Sequence, residues 1–420
     1  MDKFVINGGR KLSGTVGTDG SKNAALPIIA GSLLISEGQT ILENIPPIRD
    51  IETISEVLRH LGVKVEYNPQ DEKIIIDASD LNTDVTPYDL MRKMRASFLV
   101  LGPLLARLGH ARVSLPGGCN IGARPVDYHI NGFGSLGASI SIEEGYIVAR
   151  AKPLKGAVIH FDRPSHTGTE NLIFGAVLAK GTTTIVNAAC DPEVVDVANF
   201  LNSAGARIEG AGTSMVNIHG VKALKPVRFR VSGDRLVAGT YMCAAAITGG
   251  SVKVSGINPH HLTMVSRKLY EMGCDITENG DSLEVKAPKR LKPVKIVTFP
   301  YPGFPTDLQA GFMGLASVAS GTSSIRETVY EDRLRHTMEL RRLGADISVA
   351  FDEATINGVK RLKGASVMAS DIRAGAGLAV ACLAAEGTSE ILRVYHIDRA
   401  YCRLEEKLLS LGADIKRVKV

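Results

Sequence analysis

Residues 169–186 read TENLIFGAVLAKGTTTIV, which is an apolar stretch, then Gly181, then a β-branched run. A stretch that is apolar nearly all round predicts a helix in the interior rather than on the surface. The glycine predicts a left-handed helix end, and the β-branched residues predict a strand. This order recurs six times and predicts six buried helices: Lys22–Leu34, Met94–Leu108, Thr169–Ala179, Leu236–Ile247, Asp307–Ala319 and Ile372–Ala385.

A second glycine marks the end of another helix in each repeat. Amphipathic stretches such as Ile51–Leu61, Val194–Ser203 and Arg335–Leu343 end at a glycine and run into β-rich segments. Both sets of glycines recur roughly every 70 residues, and two landmarks with one period indicate duplication of a single unit. The first set is Gly38, Gly109, Gly181, Gly249, Gly321 and Gly387, and the second is Gly62, Gly137, Gly205, Gly273, Gly344 and Gly412.

The N-terminal segment completes the last repeat. Val5–Gly14 (VINGGRKLSG) matches Thr355–Gly364 (TINGVKRLKG), whereas the sixth repeat stops early at Lys416–Val420. We therefore expect the N-terminus to supply the last strands of repeat six. The alternative is two sequential halves that divide near residue 232, with a dangling N-terminus.

The repeats predict an α/β fold of two domains, each with three repeats. The first domain would span residues 20–232, and the second would combine 1–19 with 233–420. A chain that crosses twice between domains predicts a hinge and a cleft, which is a usual place for a ligand.

Composition excludes several classes of function. The net charge of +5 is mild, basic residues are dispersed and Trp is absent, so nucleic-acid binding is disfavoured. No apolar run reaches the roughly 18 residues that span a bilayer, and the start lacks a signal-peptide pattern, so we expect no membrane insertion. Six scattered cysteines without metal spacing indicate reduced thiols in a cytoplasm and no metal site. Walker and Rossmann glycine loops are absent, which disfavours a kinase or a dehydrogenase.

Polar residues cluster where the predicted buried helices begin. Helix N-termini bind phosphates and carboxylates through free N–H groups and the helix dipole. Ordinary capping explains Ser165, Thr306 or Asp371 taken singly, but cations do not cap N-termini, so the set as a whole favours an anion site. Its members are Lys22, Asn23, Arg92, Lys93, Arg95, Ser165, Thr167, Gly168, Thr306, Asp307, Asp371 and Arg373.

Two kinds of loop carry further candidates. The stretch Leu115–Pro125 (LPGGCNIGARP) surrounds Cys119 with glycines, and Arg112 and Arg124 flank it, which favours a reactive thiolate that serves as nucleophile or acid. The alternative is a small filler residue, which suits the other five cysteines. Tyr330–Arg333 and Tyr395–Arg399 occupy the same loop in repeats five and six, where an arginine could hold a carboxylate or a phosphate, or form a plain surface pair.

Several of these motifs together resemble the UDP-N-acetylglucosamine 1-carboxyvinyltransferases, a branch of the enolpyruvyl transferase family. The resemblance covers the whole chain, and it implies two inside-out α/β domains, each of three repeats. The matching stretches are Lys22-Asn23, Met94–Ser97, Pro116–Cys119, Gly122–Asp127, Pro302–Gln309 and Tyr395–Arg399.

The resemblance also implies a reaction. Phosphoenolpyruvate would be protonated at its methylene carbon, and the sugar 3′-hydroxyl would attack to give a tetrahedral ketal that loses phosphate. By similarity, Cys119 is the proton donor, Asp307 accepts the hydroxyl proton, and Lys22, Arg124 and Arg399 hold the phosphate and carboxylate. No metal or organic cofactor is implied, and the sequence identifies no protein partner.

The same resemblance implies a role in peptidoglycan synthesis, and hence in cell-wall biogenesis, cell shape and division. It also implies further substrate contacts. The remaining implied substrate-binding residues are Asn23, Arg95, Pro125, Val126, Asp127, Tyr128, Arg163, Ser165, His166, Thr167, Val329, Asp371 and Arg373. Transfer to shikimate 3-phosphate and a catalytically dead binding paralogue are the alternatives.

Overall fold

The computed structural model describes residues 2–92, 94–115 and 126–419, with the side chain of Arg95 excepted. These residues form two compact units. One unit combines 2–19 with 233–419, and the other contains the described residues from 20 to 232. The chain therefore passes between units after Asp19 and after Ser232.

Each unit is built around three apolar helices. The six helices are buried along most of their length, and their small residues let neighbouring backbones approach closely. One unit contains α1 (Lys22–Gly31), α4 (Leu101–Leu108) and α6 (His166–Val177), and the other contains α8 (Arg235–Ile247), α10 (Gln309–Ser317) and α12 (Ile372–Leu383).

An amphipathic helix follows in each repeat and ends in the same way. In the first repeat Gly62 has φ of 90°, its N–H donates to the carbonyl of Arg59, and the N–H of Val63 donates to that of Leu58. This pattern is the Schellman motif, and it recurs at all six glycines of the second set. The helices are α2 (Arg49–His60), α5 (Asp127–Ser135), α7 (Pro192–Ser203), α9 (Thr263–Glu271), α11 (Thr337–Arg342) and α13 (Leu404–Ser410), and a short α3 (Tyr88–Met91) precedes α4.

Three sheets surround the helices of the unit that contains the N-terminus. Each has an edge strand paired in parallel with the strand that follows a buried helix, and then two further strands that pair antiparallel. In that order the sheets are β21 (Ser366–Met368), β22 (Thr388–Leu392), β1 (Asp2–Asn7), β23 (Asp414–Lys419); β2 (Ser13–Gly17), β14 (Ser251–Ser255), β16 (Ser282–Lys286), β15 (Asp275–Asn279); and β17 (Lys295–Val297), β18 (Thr322–Arg326), β20 (Glu353–Asn357), β19 (Asp346–Ala350).

The other unit repeats this strand order. In its three-stranded sheet an isolated parallel bridge between Val85 and Arg112 stands where the other sheets have an edge strand. The sheets are β13 (Arg228–Arg230), β3 (Gln39–Glu43), β5 (Lys73–Asp77), β4 (Lys64–Asn68); β9 (Val158–His160), β10 (Thr182–Val186), β12 (Met215–His219), β11 (Arg207–Glu209); and β6 (His110–Ser114), β8 (Tyr146–Arg150), β7 (Ser139–Glu143). Six sheets of one order establish the predicted six repeats.

The N-terminal strand confirms the expectation for repeat six. Strand β1 lies between β22 and β23 and pairs antiparallel with both, with Phe4 opposite Ile391 and Arg417. The dangling N-terminus is therefore excluded. Strand β2 continues to the next sheet and pairs in parallel with β14, so each repeat lends an edge strand to its neighbour.

The predicted helix ends were partly wrong. Gly109 does cap α4 with φ of 73°, but α6 ends at Val177, before Gly181 with φ of 92°. The left-handed residue is needed where the chain turns into β10, not at the helix end. The predicted start of this helix, at Thr169, was also too late. The helix α6 begins at His166, because Ser165 Oγ accepts the N–H of Gly168 at 3.2 Å and so caps it. No described helix is long and apolar enough to cross a membrane.

The contact between α10 and α12 provides a stability test. A Cβ added at Gly377 would lie 2.7 Å from the carbonyl carbon and Cβ of Ala310, so Gly377→Ala should lower the free energy of unfolding by about 1–3 kcal/mol. A Cβ at Gly314 on the facing helix would meet nothing nearer than 3.5 Å, so Gly314→Ala should be neutral or stabilising by up to about 1 kcal/mol. Urea unfolding of both variants measures this, and equal losses would contradict the close approach.

Candidate active site

Asp307 is held between two arginines where α10 and α12 begin. Arg333 Nη2 lies 2.7 Å from Asp307 Oδ1, and Arg373 Nε lies 2.8 Å from Oδ2. Both arginine side chains are nearly buried, at 7% and 6% exposure. Burial alone would raise the pKa of Asp307, but the charges of Arg333 and Arg373 outweigh it and hold that pKa well below its usual range. The carboxylate is therefore ionised and can accept hydrogen bonds.

Each arginine is also held from its far side. Arg373 Nη1 donates to the hydroxyl of Tyr401 at 3.1 Å, and Arg333 Nη1 donates to Thr306 Oγ1 at 3.0 Å. The Thr306 hydroxyl in turn donates to Glu327 at 2.7 Å. Capping was the alternative for Thr306 taken singly, but Thr306 is the first residue of the 3-10 turn Thr306–Leu308, after Pro305, and its hydroxyl serves this network instead.

Glu327 anchors the loop that follows β18. The carboxylate is 3% exposed and accepts the hydroxyl of Thr298 and the backbone N–H groups of Val329 and Tyr330, at 2.9 to 3.1 Å. This fixes the backbone of Val329, one of the residues implied in substrate binding, and the start of the loop that carries Arg333.

Asp371 caps α12. Its Oδ1 accepts the N–H groups of Arg373 and Ala374, both at 2.9 Å, and its Oδ2 accepts the hydroxyl of Ser370 at 3.0 Å. Because one oxygen caps the helix and the other accepts the Ser370 hydroxyl, the structure favours the capping alternative for this residue over direct ligand contact. Its effect on the site is to fix the backbone from which Arg373 projects.

In the other unit, Lys22 is the first residue of α1 and forms a buried ion pair. Its Nζ lies 2.7 Å from Asp50 Oδ2, and Asp50, in the first turn of α2, is 2% exposed. A cation at a helix N-terminus is repelled by the dipole, and Asp50 offsets this. Asn23 is the next residue of the same helix.

A cation also lies in the first turn of α6. His166 Nε2 is 3.1 Å from Glu170 Oε1, and its Nδ1 is 3.9 Å from Asp191 Oδ1. Burial lowers the pKa of His166, but the charges of Glu170 and Asp191 outweigh burial and raise that pKa to about 10. The imidazole is therefore favoured in its protonated form, although burial also raises the pKa of Glu170, and its charge faces the side chains of Glu170 and Asp191 beside the N–H groups that open this helix.

Thr167, the next residue, is held from within the unit. The amide of Asn171 accepts the N–H of Gly102 at 2.7 Å through Oδ1, so its NH₂ group faces His129 Nδ1 at 3.0 Å. Nδ1 of His129 must therefore accept, which leaves the proton of the neutral ring on Nε2, 3.5 Å from Thr167 Oγ1. Tyr128 packs its ring on Phe161 at 5.0 Å between centroids.

The remaining predicted residues are placed as follows. Val126 is the N-cap of α5 and Asp127 its first residue, Arg163 lies before α6, and Arg399 ends the 3-10 turn Val394–Arg399. Cys119, Arg124, Pro125 and the side chain of Arg95 lie outside the described residues.

The other five cysteines are poor nucleophiles. Cys190 is half-buried and the other four are buried. Burial raises the pKa of every one of these thiols, to about 12 for Cys274 and Cys382. This agrees with their interpretation as small filler residues. The described residues contain no cluster of three His, Cys, Asp or Glu side chains that could hold a metal.

Sequence reasoning missed Asp50 and Glu327, and it named Arg333 only as part of a loop. The signal for Arg333 was the equivalence of its loop with that of Arg399 in the next repeat. The carboxylate that Arg333 holds is the protein's own Asp307. Asp50 gave no signal, because an acidic residue in the first turn of a helix is ordinary.

Solved structures show the fold. The enolpyruvyl transferase NikO from Streptomyces tendae superimposes with a TM-score of 0.90 and 26% identity, covering 100% of this chain and 99% of that one. EPSP synthase from Acinetobacter baumannii gives a TM-score of 0.77 at 20% identity over 100% of both chains. The two three-repeat α/β units are thus the architecture of enolpyruvyl transferases.

Sequence comparisons show the family. The sequence-family model described as EPSP synthase (3-phosphoshikimate 1-carboxyvinyltransferase) matches residues 6–408. UDP-N-acetylglucosamine 1-carboxyvinyltransferases of Trichlorobacter lovleyi and Myxococcus xanthus are 52% and 51% identical over 100% of this chain and 99% and 100% of their own length. The chain belongs to the enolpyruvyl transferase family and is a transferase.

The His166 pair makes a prediction about pH. Because the folded pKa of about 10 exceeds the ordinary value of 6.5, the stabilisation by protonated His166 is full below pH 6.5 and is lost as pH rises toward 10. The stability advantage of the parent over His166→Gln should shrink between pH 6 and pH 9.5 in urea unfolding. An advantage that is constant with pH, or an imidazole that titrates near 6.5 by NMR, would contradict the pairing.

Proposed function

We propose that the protein transfers the enolpyruvyl group of phosphoenolpyruvate to the 3′-hydroxyl of UDP-N-acetylglucosamine and releases phosphate. Full-length relatives at about half identity bear the name of this activity. The observation that carries the proposal within the structure is the ionised carboxylate of Asp307 between two nearly buried arginines, because this pairs a proton acceptor with cations that can stabilise anionic substrates.

The proposed reaction is an addition followed by an elimination. The thiol of Cys119 gives a proton to the methylene carbon of phosphoenolpyruvate while the sugar oxygen bonds to the neighbouring carbon, and the hydroxyl proton passes to Asp307. The resulting ketal then gives a proton from the new methyl group back to the Cys119 thiolate as the C–O bond to phosphate breaks, and the proton on Asp307 passes to the departing phosphate. Atoms balance as enolpyruvyl ether plus inorganic phosphate.

Asp307 suits this role because it would accept the hydroxyl proton only while the bond between the sugar oxygen and phosphoenolpyruvate forms. A carboxylate with a strongly lowered pKa is a weak base and does not deprotonate a free alcohol. The hydroxyl becomes strongly acidic only as its oxygen bonds to the cationic carbon next to the newly protonated methyl group. A weak, ionised and well-positioned acceptor is then sufficient, and it does not capture the proton beforehand.

Cationic groups would hold the anionic parts of both substrates. We assign Lys22, Arg124 and Arg399 to the phosphate and carboxylate of phosphoenolpyruvate, with Arg373 as a further cation for charge that develops in the transition state. Arg373 uses two of its five N–H donors in the bonds to Asp307 and Tyr401.

The nucleotide sugar would use the beginnings of the other helices. The start of α6 offers free N–H groups, the hydroxyl of Thr167 and protonated His166 to a diphosphate. The other proposed contacts are Asn23, Arg95, Pro125, Val126, Asp127, Tyr128, Arg163, Ser165 and Val329. The product of such a transfer is a peptidoglycan precursor, so we propose a cytoplasmic role in cell-wall synthesis.

A second candidate is transfer to shikimate 3-phosphate, because the matching family model carries that activity in its description. The solved EPSP synthase is 20% identical, whereas the UDP-sugar relatives are 50% identical or more. Cys119 also favours the UDP-sugar, since the resemblance assigns the loop cysteine to that branch.

Phosphate release from phosphoenolpyruvate distinguishes the two. We expect release with UDP-N-acetylglucosamine and none with shikimate 3-phosphate, followed by a continuous phosphate assay. Asp307→Asn should lower the rate by at least about 100-fold while UDP-sugar binding stays measurable by calorimetry. Release with shikimate 3-phosphate alone would establish the second candidate, and release with neither would leave a binding paralogue.

The reactive thiol can be identified by mass. An epoxide phosphonate that mimics phosphoenolpyruvate, such as fosfomycin, should alkylate Cys119 and none of the five described cysteines, because burial raises their thiol pKa values. Peptide mass spectrometry locates the adduct, and Cys119→Ser serves as the control. Modification of Cys190, the most exposed of the five, in place of Cys119 would contradict the assignment.

A further inference from the structure

Arg373 ends a chain of hydrogen bonds that runs away from Asp307 into the core. Arg373 Nη1 lies 3.1 Å from Tyr401 OH, and Tyr401 OH lies 2.8 Å from Thr240 Oγ1. Thr240 Oγ1 lies 3.1 Å from the carbonyl oxygen of Leu236, one turn earlier in α8. The three side chains are buried, at 6%, 2% and 6% exposure from Arg373 to Thr240.

The direction of every proton in this chain is fixed. An arginine only donates, so the hydroxyl of Tyr401 accepts from Arg373. The carbonyl of Leu236 only accepts, so Thr240 gives it its single hydroxyl proton. Tyr401 must then donate its own proton to Thr240. The pKa of Tyr401 is raised by burial, which outweighs the opposing charge of Arg373 and keeps this donor protonated.

The chain sets the position of the Arg373 guanidinium. Asp307 holds Nε on one side and Tyr401 holds Nη1 on the other, while the Tyr401 ring lies 5.4 Å from the guanidinium carbon. Tyr401 follows the 3-10 turn that carries Arg399, and Thr240 lies on α8. Three segments distant in sequence thus converge on one cation.

We infer that Tyr401 and Thr240 are positioning residues, which hold Arg373 against Asp307 and so maintain the geometry of the proton acceptor. This deepens the proposed function, on which its kinetic consequence rests. Neither residue touches Asp307 itself in the hydrogen bonds described, so both act through Arg373.

The chain offers a matched control in the neighbouring tyrosine. Tyr241 is fully buried like Tyr401, and its hydroxyl has no hydrogen-bond partner among the described residues. Tyr401→Phe and Tyr241→Phe therefore remove the same atom from two buried rings, and only the first breaks the chain. Thr240→Val breaks the next link at nearly constant volume, and Thr240→Ser restores the hydroxyl.

The first measurement is independent of turnover. In ¹⁵N-labelled protein the Nε–H signal of Arg373, assigned through Arg373→Lys, should be protected from exchange in the parent, in Tyr241→Phe and in Thr240→Ser. Tyr401→Phe and Thr240→Val should broaden or shift it. Unchanged protection in Tyr401→Phe would overturn the inference, whatever the protein catalyses.

Turnover with phosphoenolpyruvate and UDP-N-acetylglucosamine gives the second readout. Tyr401→Phe and Thr240→Val should each lower kcat/KM about tenfold, with the affinity for the UDP-sugar alone within about twofold of the parent. The double variant should lose no more than either single one, because both act through one chain. Additive losses, or a loss in Tyr241→Phe equal to that in Tyr401→Phe, would indicate a merely structural role.

The pH dependence of kcat/KM distinguishes a displaced Arg373 from a general loss of stability in Tyr401→Phe. The charged and titratable groups around the pair are Arg333 at Asp307, Asp234 and Tyr401 at Arg373, and Asp371 and Tyr330 at Arg333. A displaced Arg373 depresses the Asp307 pKa less, so the acid limb of kcat/KM should move to higher pH in Tyr401→Phe. If the parent itself does not turn over, the proposed function fails, and the NMR result alone decides the inference.

Discussion

The ion pairs of Asp307 hold together the beginnings of two buried helices in the unit that contains the N-terminus. A single carboxylate compensates part of the charge of two nearly buried arginines, and through them it connects the beginnings of α10 and α12 and the side of α8. Removal of one partner from such a buried group leaves charge without compensation, at a cost of about 3–5 kcal/mol. The carboxylate is therefore a structural tie as well as the proton acceptor that we propose.

Duplication explains why polar groups gather at these helix ends. Each repeat buries an apolar helix along most of its length, so its sides make mainly apolar contacts, and only its first turn has free N–H groups. The repeats fill that position differently: Asp234 and Asp371 cap α8 and α12, Ser165 caps α6, and Lys22 opens α1 beside Asp50. One scaffold position has thus become a cap in some repeats and a charged site in others.

The sequence predicted what is local. Gly62 and its equivalents determined six helix ends because a left-handed residue leaves few alternatives, and the match of residues 5–14 to 355–364 placed β1 in the last sheet. Side-chain pairings distant in sequence could not be predicted. No local pattern joins Asp307 to Arg333 or Lys22 to Asp50, and the start of α6 at His166 depends on one serine hydroxyl.

The same arrangement limits how the site can work. Cations that are paired in advance keep Asp307 ionised, but they also make it a poor base, so the driving force for proton removal has to come from the substrate. In the proposed reaction, protonation of phosphoenolpyruvate would supply it, because an attacking hydroxyl grows more acidic as its bond to the cationic carbon forms.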